Sequence, residues 1–590
     1  MGREDSGATA MWFTDEVSVP DEIVDALLDD RLVIFVGAGA SVRAPSGLPL
    51  FDMLVNRVAD DLGFAPYLAS KHHSPDAYLE EIERTLEVKV PPPSRPMRER
   101  VVAQLTGSPS SPNDVHEAIV RLFPQADKVR IVTTNYDRHL ETAAAEAFSI
   151  APNIYRAPAL PRGDDFEGIV HLHGCLGDKL TDLVLTSRDF GRAYLTEAWA
   201  SRFLYDLFRK YATLFVGYSH DDVVMRYLAQ GLREGTVRHG FLANDVDASS
   251  WRAMDLNSIA YPPENEHAAL ARCLEDWARW TRMGRLEHEE RVRQLVAGGP
   301  PSTPAAVSYL ERTIANDDRA EFFWKYAQGA EWLPWLELRE PFQSLFRVEG
   351  ELSPAGRALA TWFADVIQSD SEAALRSVQR RGGHLNRATA ETIALSFHQT
   401  DRRPEARALG RWSLLLTQSS GPEVDRFLGY LLIDARNRWP EDRDTAILLF
   451  EHLTAVDMAI TRGFHLGDDG AEDPTEFKVD SLVGGEHELG QAWEQVLKPH
   501  LDEVVIPVVR ILEHHIASAH ATLRTASQAS AQFDAESFVV DFRTLALSPR
   551  QATRRLCSHG ECIDQNGRHF GAEWPGSRAW QNSFAPESTA

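Results

Sequence analysis

The chain has 590 residues, more than one hydrophobic core usually serves, and this length predicts two or three domains. Its 43% apolar and 25% charged residues are typical of a soluble globular protein. Asp and Glu outnumber Lys and Arg by 87 to 61. The net charge of −26 argues against a broad electrostatic surface for nucleic acid or an anionic membrane, so direct binding to either is not expected.

The sequence contains no apolar run of about 18 residues and no secretory signal peptide, which predicts a cytoplasmic protein without a membrane anchor. Its cysteines are too few and too scattered for a disulfide framework, and they fit a reducing compartment better: Cys175, Cys273, Cys557 and Cys562.

The first 300 residues have the pattern of an α/β domain. We predict a flexible tail over residues 1–20, a helix from about Asp21, and a buried strand over Leu32–Val36. Residues 64–112 contain three consecutive prolines and a Ser/Pro-rich piece, which indicates a helical insertion with irregular connections. Strands and helices then alternate, which predicts a Rossmann-like, mostly parallel sheet within a domain over residues 21–295.

The second half of the chain has a helical pattern. A Gly/Pro-rich linker lies near residues 296–306, and apolar residues then recur at helical spacing, as in Val424, Phe427, Leu428, Leu431 and Ala435. We predict a mainly α-helical regulatory or assembly region over residues 307–565 and a flexible tail over 566–590. No fixed-period repeat is evident, so no named solenoid is predicted.

The turn after the first strand, Gly37-Ala38-Gly39 followed by Ser41, offers backbone N–H groups and a hydroxyl to an anion. Position 42 is Val where a dinucleotide-binding GxGxxG motif needs its third glycine, and no Gly-Lys-Ser/Thr follows for a Walker-type site. By itself this turn fits a nucleotide site and an ordinary strand–helix turn equally well.

Three later strand ends add polar side chains. Because the carboxyl ends of parallel strands lie along one edge of a sheet, we expect these side chains to meet in one crevice. A neutral imidazole there could act as a general base. The residues concerned are Asn135 and Asp137, His171 and His173, and Gly217 and Ser219.

This ordered set resembles the sirtuin family over roughly residues 25–262. Sirtuins have a GAG-x-S turn, a Gly-Ile-Pro segment, a Thr-x-Asn-x-Asp strand end, a His-Gly and a Gly-x-Ser, in that order. The matching residues here are Gly37-Ala38-Gly39 with Ser41, Gly47-Leu48-Pro49, Thr133 to Asp137, His173-Gly174, and Gly217 with Ser219.

Two departures distinguish the chain from sirtuin deacylases. Those enzymes continue with Asp-Phe-Arg where this chain has Leu50-Phe51-Asp52, and they have a four-cysteine zinc module soon after the His-Gly. Here Cys175 is followed by no cysteine until Cys273, and the tail "LCSHGECID" has no second ligand pair, so no zinc is expected. In these respects the chain looks like the sirtuin-like NAD hydrolases of bacterial anti-phage defence, which have a helical C-terminal region.

The resemblance implies that NAD⁺ is a substrate that is hydrolysed to nicotinamide and ADP-ribose. It makes Asn135 the residue that binds the nicotinamide ribose and orients water, and His173 the base. His171 is expected to support the sheet end instead. The NAD-binding residues it implies are Gly37, Ala38, Gly39 and Ser41 at the pyrophosphate with Gly217 and Ser219, Phe51 and Asp137 at the nicotinamide, and Asn244 at the adenosine.

An unregulated NAD hydrolase would harm its own cell. The resemblance therefore implies control by the helical region through homo-oligomers, with a phage-derived or operon-encoded protein as a candidate activator. Two alternatives remain open: an NAD-dependent protein deacylase, and a non-enzymatic module that senses NAD or ADP-ribose. An ordinary dehydrogenase is disfavoured by the missing third glycine and by the lack of an acid about 20 residues further on.

Overall fold

The computed structural model describes residues 10–68, 70–89, 95–218, 237–253, 255–399, 404–419, 421–462 and 475–529. The chain divides into two compact units, Met1–Arg312 and Thr313–Ala590. No helix in the described ranges is long and apolar enough to cross a membrane.

The first unit is built on a parallel sheet with the strand order β5-β6-β4-β3-β7-β8-β9. This confirms the predicted Rossmann-like α/β fold. The strands are β3 Leu32–Val36, β4 Arg130–Thr133, β5 Ile154–Arg156, β6 Gly168–His171, β7 Ala212–Val216, β8 Arg238–Ala243 and β9 Asn257–Tyr261.

The central strands explain why the polar turns meet. Every residue of β3 and β7 is buried, as expected for apolar strands covered on both faces. In the parallel register Val36 lies opposite both Thr133 and Val216, so three strands end at the same level. The turns that follow them therefore lie along one edge of the sheet.

Helices surround the sheet, and two of them form the predicted helical insertion between β3 and β4 at α3 and α4. The helices are α1 Asp21–Leu28, α2 Phe51–Asp61, α3 Pro75–Lys89, α4 Pro96–Thr106, α5 Asp114–Arg121, α6 His139–Ala147, α7 Ser187–Gly191, α8 Trp199–Lys210, α9 Ser249–Ala253, α10 Glu264–Arg282, α11 Arg285–Val296 and α12 Pro304–Ala315.

Residues 10–20 differ from the flexible tail that we expected over residues 1–20. They form an antiparallel hairpin of β1, Ala10–Trp12, and β2, Ser18–Pro20. Its apolar side chains enter the core, and Val17 and Val19 are fully buried. The few apolar residues between acidic ones give a weak sequence pattern, and burial against the α/β core stabilises the pair.

The second unit is mainly helical, as predicted, and includes an antiparallel pair, β10 Val456–Arg462 and β11 Thr475–Leu482, that the helical pattern did not predict. A cluster of buried aromatic rings, including Phe323, Trp332 and Trp362, lies in its core. The helices are α13 Ala320–Tyr326, α14 Leu333–Leu336, α15 Glu340–Gln343, α16 Pro354–Ser369, α17 Ser371–Arg380, α18 Arg387–Gln399, α19 Ala406–Gln418, α20 Pro422–Asp434, α21 Arg443–Leu453, α22 Glu486–Ala492 and α23 Leu501–Ala529. The 566–590 tail lies outside the described residues.

A buried arginine joins the insertion to the rest of the first unit. The guanidinium of Arg98, on α4, contacts the carboxylates of Glu83 at 2.7 Å and Asp189 at 2.7 Å. It also donates to the backbone carbonyls of Leu180 and Leu183. All three charged side chains are less than a tenth exposed, so the guanidinium is the buried counter-charge of both carboxylates.

Replacing Arg98 with Met should destabilise the protein by about 3–5 kcal/mol, because two buried carboxylates lose their counter-charge. The shift of the urea unfolding midpoint measures this. Arg162, whose side chain is 75% exposed beside Asp164, provides the matched control. Arg162→Met should cost less than about 1 kcal/mol, and equal losses for the two variants would contradict the role of the buried pair.

Candidate active site

A cavity of about 60 Å³ lies at the carboxyl edge of the sheet, where the turns after β3, β4 and β6 meet. Six of the residues predicted from the sequence line it: Ala38, Ser41, Phe51, Asn135, Asp137 and His173. The remaining walls are mostly apolar and include Leu105 of the insertion and Phe190 of α7.

The turns after β3 and β7 touch backbone to backbone. A Cβ on Gly37 would lie 2.7 Å from the carbonyl oxygen of Gly217, and a Cβ on Gly39 would lie 2.9 Å from it. Gly217 has a φ of +77°, a backbone conformation that glycine adopts without strain, and a Cβ there would come within 2.5 Å of the backbone nitrogen of Ala40. Glycine at these three positions is thus required by close packing.

This packing also uses backbone donors that the sequence suggested for an anion. The N–H of Gly37 donates to the carbonyl of Val216, and the N–H of Gly39 donates to that of Gly217. These glycines therefore shape the turn, while Ala38 and Ser41 are the turn residues that face the cavity.

Ser41 is at the centre of a buried hydrogen-bond network. Its hydroxyl donates to Asp137 Oδ2 at 2.9 Å and lies 3.1 Å from Nε2 of His116. The backbone N–H of Asn113 donates to Nδ1 of His116, which places the ring proton on Nε2, facing Ser41. Burial is the main cause that lowers the pKa of His116, to about 4, so the ring is neutral at physiological pH.

Asn135 is fixed at one end of its amide and unbonded at the other. Its Nδ2 donates to the carbonyl of Gly37 at 3.1 Å and to Ser41 Oγ at 3.2 Å. Its Oδ1 is buried and has no hydrogen-bond partner in the described part of the chain. Leaving an acceptor buried and unbonded costs about 1–3 kcal/mol, and such an atom beside a cavity indicates a ligand donor.

His173 follows β6 and is 2% exposed. Burial lowers its pKa to about 3, so the imidazole is neutral at physiological pH and keeps a lone pair on one ring nitrogen. Nε2 lies 3.0 Å from the hydroxyl of Tyr194, and the ring packs edge-on against Phe190.

His171, two residues earlier, has a different environment. Its Nε2 lies 3.1 Å from the carboxylate of Glu141, which also contacts Arg138 and Arg156. Burial acts to lower the pKa of His171, but hydrogen bonds to Cys175 and Glu141 outweigh it and raise that pKa to about 9. Glu141, His171 and Cys175 have metal-ligating atoms within 4.8 Å of one another, and the two arginines place positive charge beside the same carboxylate.

Two predicted residues lie away from the cavity or outside the described residues. Asn244, at the carboxyl end of β8, is exposed and does not line the cavity, and its backbone N–H donates to Tyr261. Ser219 lies outside the described residues.

Sequence reasoning missed His116, Asn113 and Tyr194. Asn113 is the N-cap of α5, and its side chain also donates to the carbonyls of Ala40 and Arg43. An Asn before a helical pattern is a recognisable N-cap signal. No local pattern, however, indicates that this helix brings His116 to a serine 75 residues earlier in the chain.

Comparison with known proteins agrees with this geometry. Residues 129–249, which include β4, β6 and β7 and the residues Asn135 and His173, match the SIR2-like domain. The match supports a sirtuin-like family for the first unit and suggests an NAD-related activity.

A relative that is longer than this chain has no assigned function in its name. The chain is 29% identical over 450 residues to an uncharacterized protein, y4cA, of Sinorhizobium fredii. The matched region covers 71% of this chain and 36% of the relative, so the chain spans about a third of that relative's length.

Gly39→Ala should destabilise the protein by about 1–3 kcal/mol, because the new methyl group meets the backbone of Gly217. A methyl group on Gly298 would meet no atom within 4 Å, so Gly298→Ala should change stability by less than about 0.5 kcal/mol. Thermal unfolding of the two variants against wild type measures the difference, and an unchanged midpoint for Gly39→Ala would contradict the close approach.

The charged state of His171 should make stability depend on pH. Because its pKa rises on folding from about 6.5 to about 9, its contribution is complete below pH 6.5 and is lost as the pH rises through 9. The free energy of unfolding should therefore fall between pH 6.5 and 9 in wild type and change less in His171→Asn. Parallel pH profiles for the two proteins would contradict the ion pair with Glu141.

Proposed function

We propose that the domain over residues 21–295 is an NAD⁺ glycohydrolase that converts NAD⁺ and water to nicotinamide and ADP-ribose. The observation that carries this proposal is the pair of groups at the cavity: the unbonded, buried Oδ1 of Asn135 and the neutral imidazole of His173. The match to the SIR2-like domain supports NAD as the nucleotide.

The reaction requires little covalent help from the protein. The bond from ribose C1′ to the nicotinamide nitrogen breaks, and its electron pair leaves with nicotinamide, which departs as a neutral molecule. Positive charge develops on the ribose as in glycoside hydrolysis, and the oxygen of water then bonds to C1′. The proton released from water needs an acceptor.

The described residues can supply these needs. Asn135 Oδ1 accepts a hydrogen bond from a ribose hydroxyl or the attacking water, and its fixed Nδ2 prevents the amide from turning away. His173 accepts the proton. An apolar wall that includes Phe190 keeps the imidazole neutral and strengthens electrostatic interactions in the cavity.

Substrate binding is assigned to the surrounding turns. Ala38 and Ser41, in the turn shaped by Gly37, Gly39 and Gly217, bind the pyrophosphate with Ser219. Phe51 covers the nicotinamide, and Asn244 contacts the adenosine. Asp137 acts at the nicotinamide end and also orients Ser41, whose hydroxyl donates to it.

The cellular role that fits this activity is regulated NAD depletion in anti-phage defence, in the cytoplasm. We assign its control to the region over residues 307–565, through homo-oligomers and a phage-derived or operon-encoded protein activator. The support for this role is the resemblance to sirtuin-like NAD hydrolases and the helical second unit.

Asn135→Ala and His173→Ala should each lower NAD⁺ turnover by at least about 100-fold, because each removes a group used in the transition state. Purified proteins are incubated with NAD⁺, and the products are separated by chromatography. His239, a buried histidine at the amino end of β8 with its pKa lowered to about 4, provides the matched control. His239→Asn should retain wild-type turnover.

The products decide between the proposal and its alternatives. Free ADP-ribose with nicotinamide supports hydrolysis. Nicotinamide release only with an acylated peptide would support a deacylase instead, and intact NAD⁺ after binding would support a sensor. Wild-type turnover by Asn135→Ala or His173→Ala would overturn the assignment of the site.

A further inference from the structure

Tyr194, which lies outside the cavity, contacts His173, the proposed base. Its hydroxyl lies 3.0 Å from Nε2 of His173, and the two side chains are 6% and 2% exposed. The Tyr194 ring stacks on that of Phe190, with 6.0 Å between centroids, and the imidazole stands edge-on to both rings. Tyr194 does not line the cavity, so the hydrogen-bond partner of Nε2 is a side chain outside the cavity wall.

The backbone around Tyr194 is unusual. Arg192–Thr196 forms a π-helical turn between α7 and α8, and the N–H of Glu197 donates to the carbonyl of Arg192, five residues earlier. Ala198, the N-cap of α8, follows this turn and has a φ of +55°, in the left-handed region that non-glycine residues rarely adopt. π-Helical turns and such strained residues both occur preferentially at functional sites.

Further contacts fix this turn in place. The hydroxyl of Ser201, on α8, donates to the carbonyl of Tyr194 at 2.6 Å. The N–H of Val184 donates to the carbonyl of His173, which fixes the backbone of the histidine as well. The tyrosine hydroxyl and the imidazole are therefore held together by the backbone on both sides.

The contact between Tyr194 and His173 determines which nitrogen of the imidazole ring can accept a proton. Within the described residues, no hydrogen bond joins Nδ1 of His173 to another protein group. If Nε2 carries the ring proton and donates a hydrogen bond to the tyrosine oxygen, Nδ1 has a lone pair and can accept a proton. The opposite tautomer has the proton on Nδ1 and cannot act as a base there.

We propose that Tyr194 is a positioning residue whose hydroxyl oxygen accepts a hydrogen bond from the Nε2–H of His173. This hydrogen bond makes Nδ1 the proton acceptor in the reaction. When Nδ1 takes the proton from water, the ring becomes an imidazolium, and its Nε2–H bond to Tyr194 becomes charge-assisted. Tyr194 thus stabilises the charged form that exists only during the reaction. This role rests on the proposed NAD⁺ hydrolysis.

The test compares Tyr194→Phe with Tyr211→Phe in the full chain. Each change removes one buried tyrosine hydroxyl from the same apolar cluster; the hydroxyl of Tyr211 donates to the carbonyl of Asp164, away from the cavity. Tyr194→Phe should lower kcat by about 10- to 100-fold, the effect of losing a hydrogen bond to a charged group, with KM within about twofold of wild type. Tyr211→Phe should keep both constants.

A tautomer measurement tests the contact independently of activity. In protein with ¹⁵N-labelled histidine, the His173 signals are those missing from His173→Ala. Their nitrogen shifts should indicate a proton on Nε2 in wild type and a mixture of tautomers in Tyr194→Phe.

The outcomes separate this inference from the proposed function. Wild-type kcat in Tyr194→Phe, a change confined to KM, an equal loss in Tyr211→Phe, or a proton on Nδ1 in wild type would each overturn the role of Tyr194. Failure of wild type to release nicotinamide would overturn the proposed function, and the tautomer measurement would still decide whether Tyr194 fixes His173.

Discussion

The candidate site depends on one steric constraint, the contact between the turns that follow β3 and β7. The two backbones approach so closely that a Cβ on Gly37, Gly39 or Gly217 would overlap the opposite chain. In this arrangement the carbonyl of Gly37 accepts a hydrogen bond from Asn135, and the hydroxyl of Ser41 donates one to Asp137. Without it, the amide of Asn135 would lose its anchor, and its unbonded oxygen would have no fixed direction.

The two histidines at the end of β6 show how neighbours select a charge state. Burial acts to lower the pKa of both rings, and for His173, packed against Phe190 and Tyr194, no carboxylate in the described part of the chain opposes this effect. His171 lies against Glu141 and Cys175, so its pKa rises despite complete burial. Two histidines that are only two residues apart therefore have different roles. His171 is a charged group that supports the fold, and His173 is a neutral group at the cavity.

The insertion between β3 and β4 is also part of the site. Leu105 of α4 lines the cavity, and Arg98 of the same helix joins Glu83 to Asp189, whose carboxylate accepts a hydrogen bond from the backbone N–H of the N-cap of α7. Phe190 follows Asp189 and forms the wall beside His173. A buried ion-pair network thus connects the wall beside His173 to the helical insertion.

The sequence by itself determined the parallel α/β fold and six of the residues that line the cavity, because apolar strands and glycine turns are local patterns and parallel strand ends must meet at one edge. Only the tertiary structure decided the charge states of His171 and His173, the contact of His116 with Ser41, and the burial of the hairpin over residues 10–20. These properties arise from burial and hydrogen bonds between residues far apart in the chain, and a local pattern does not encode which of them meet.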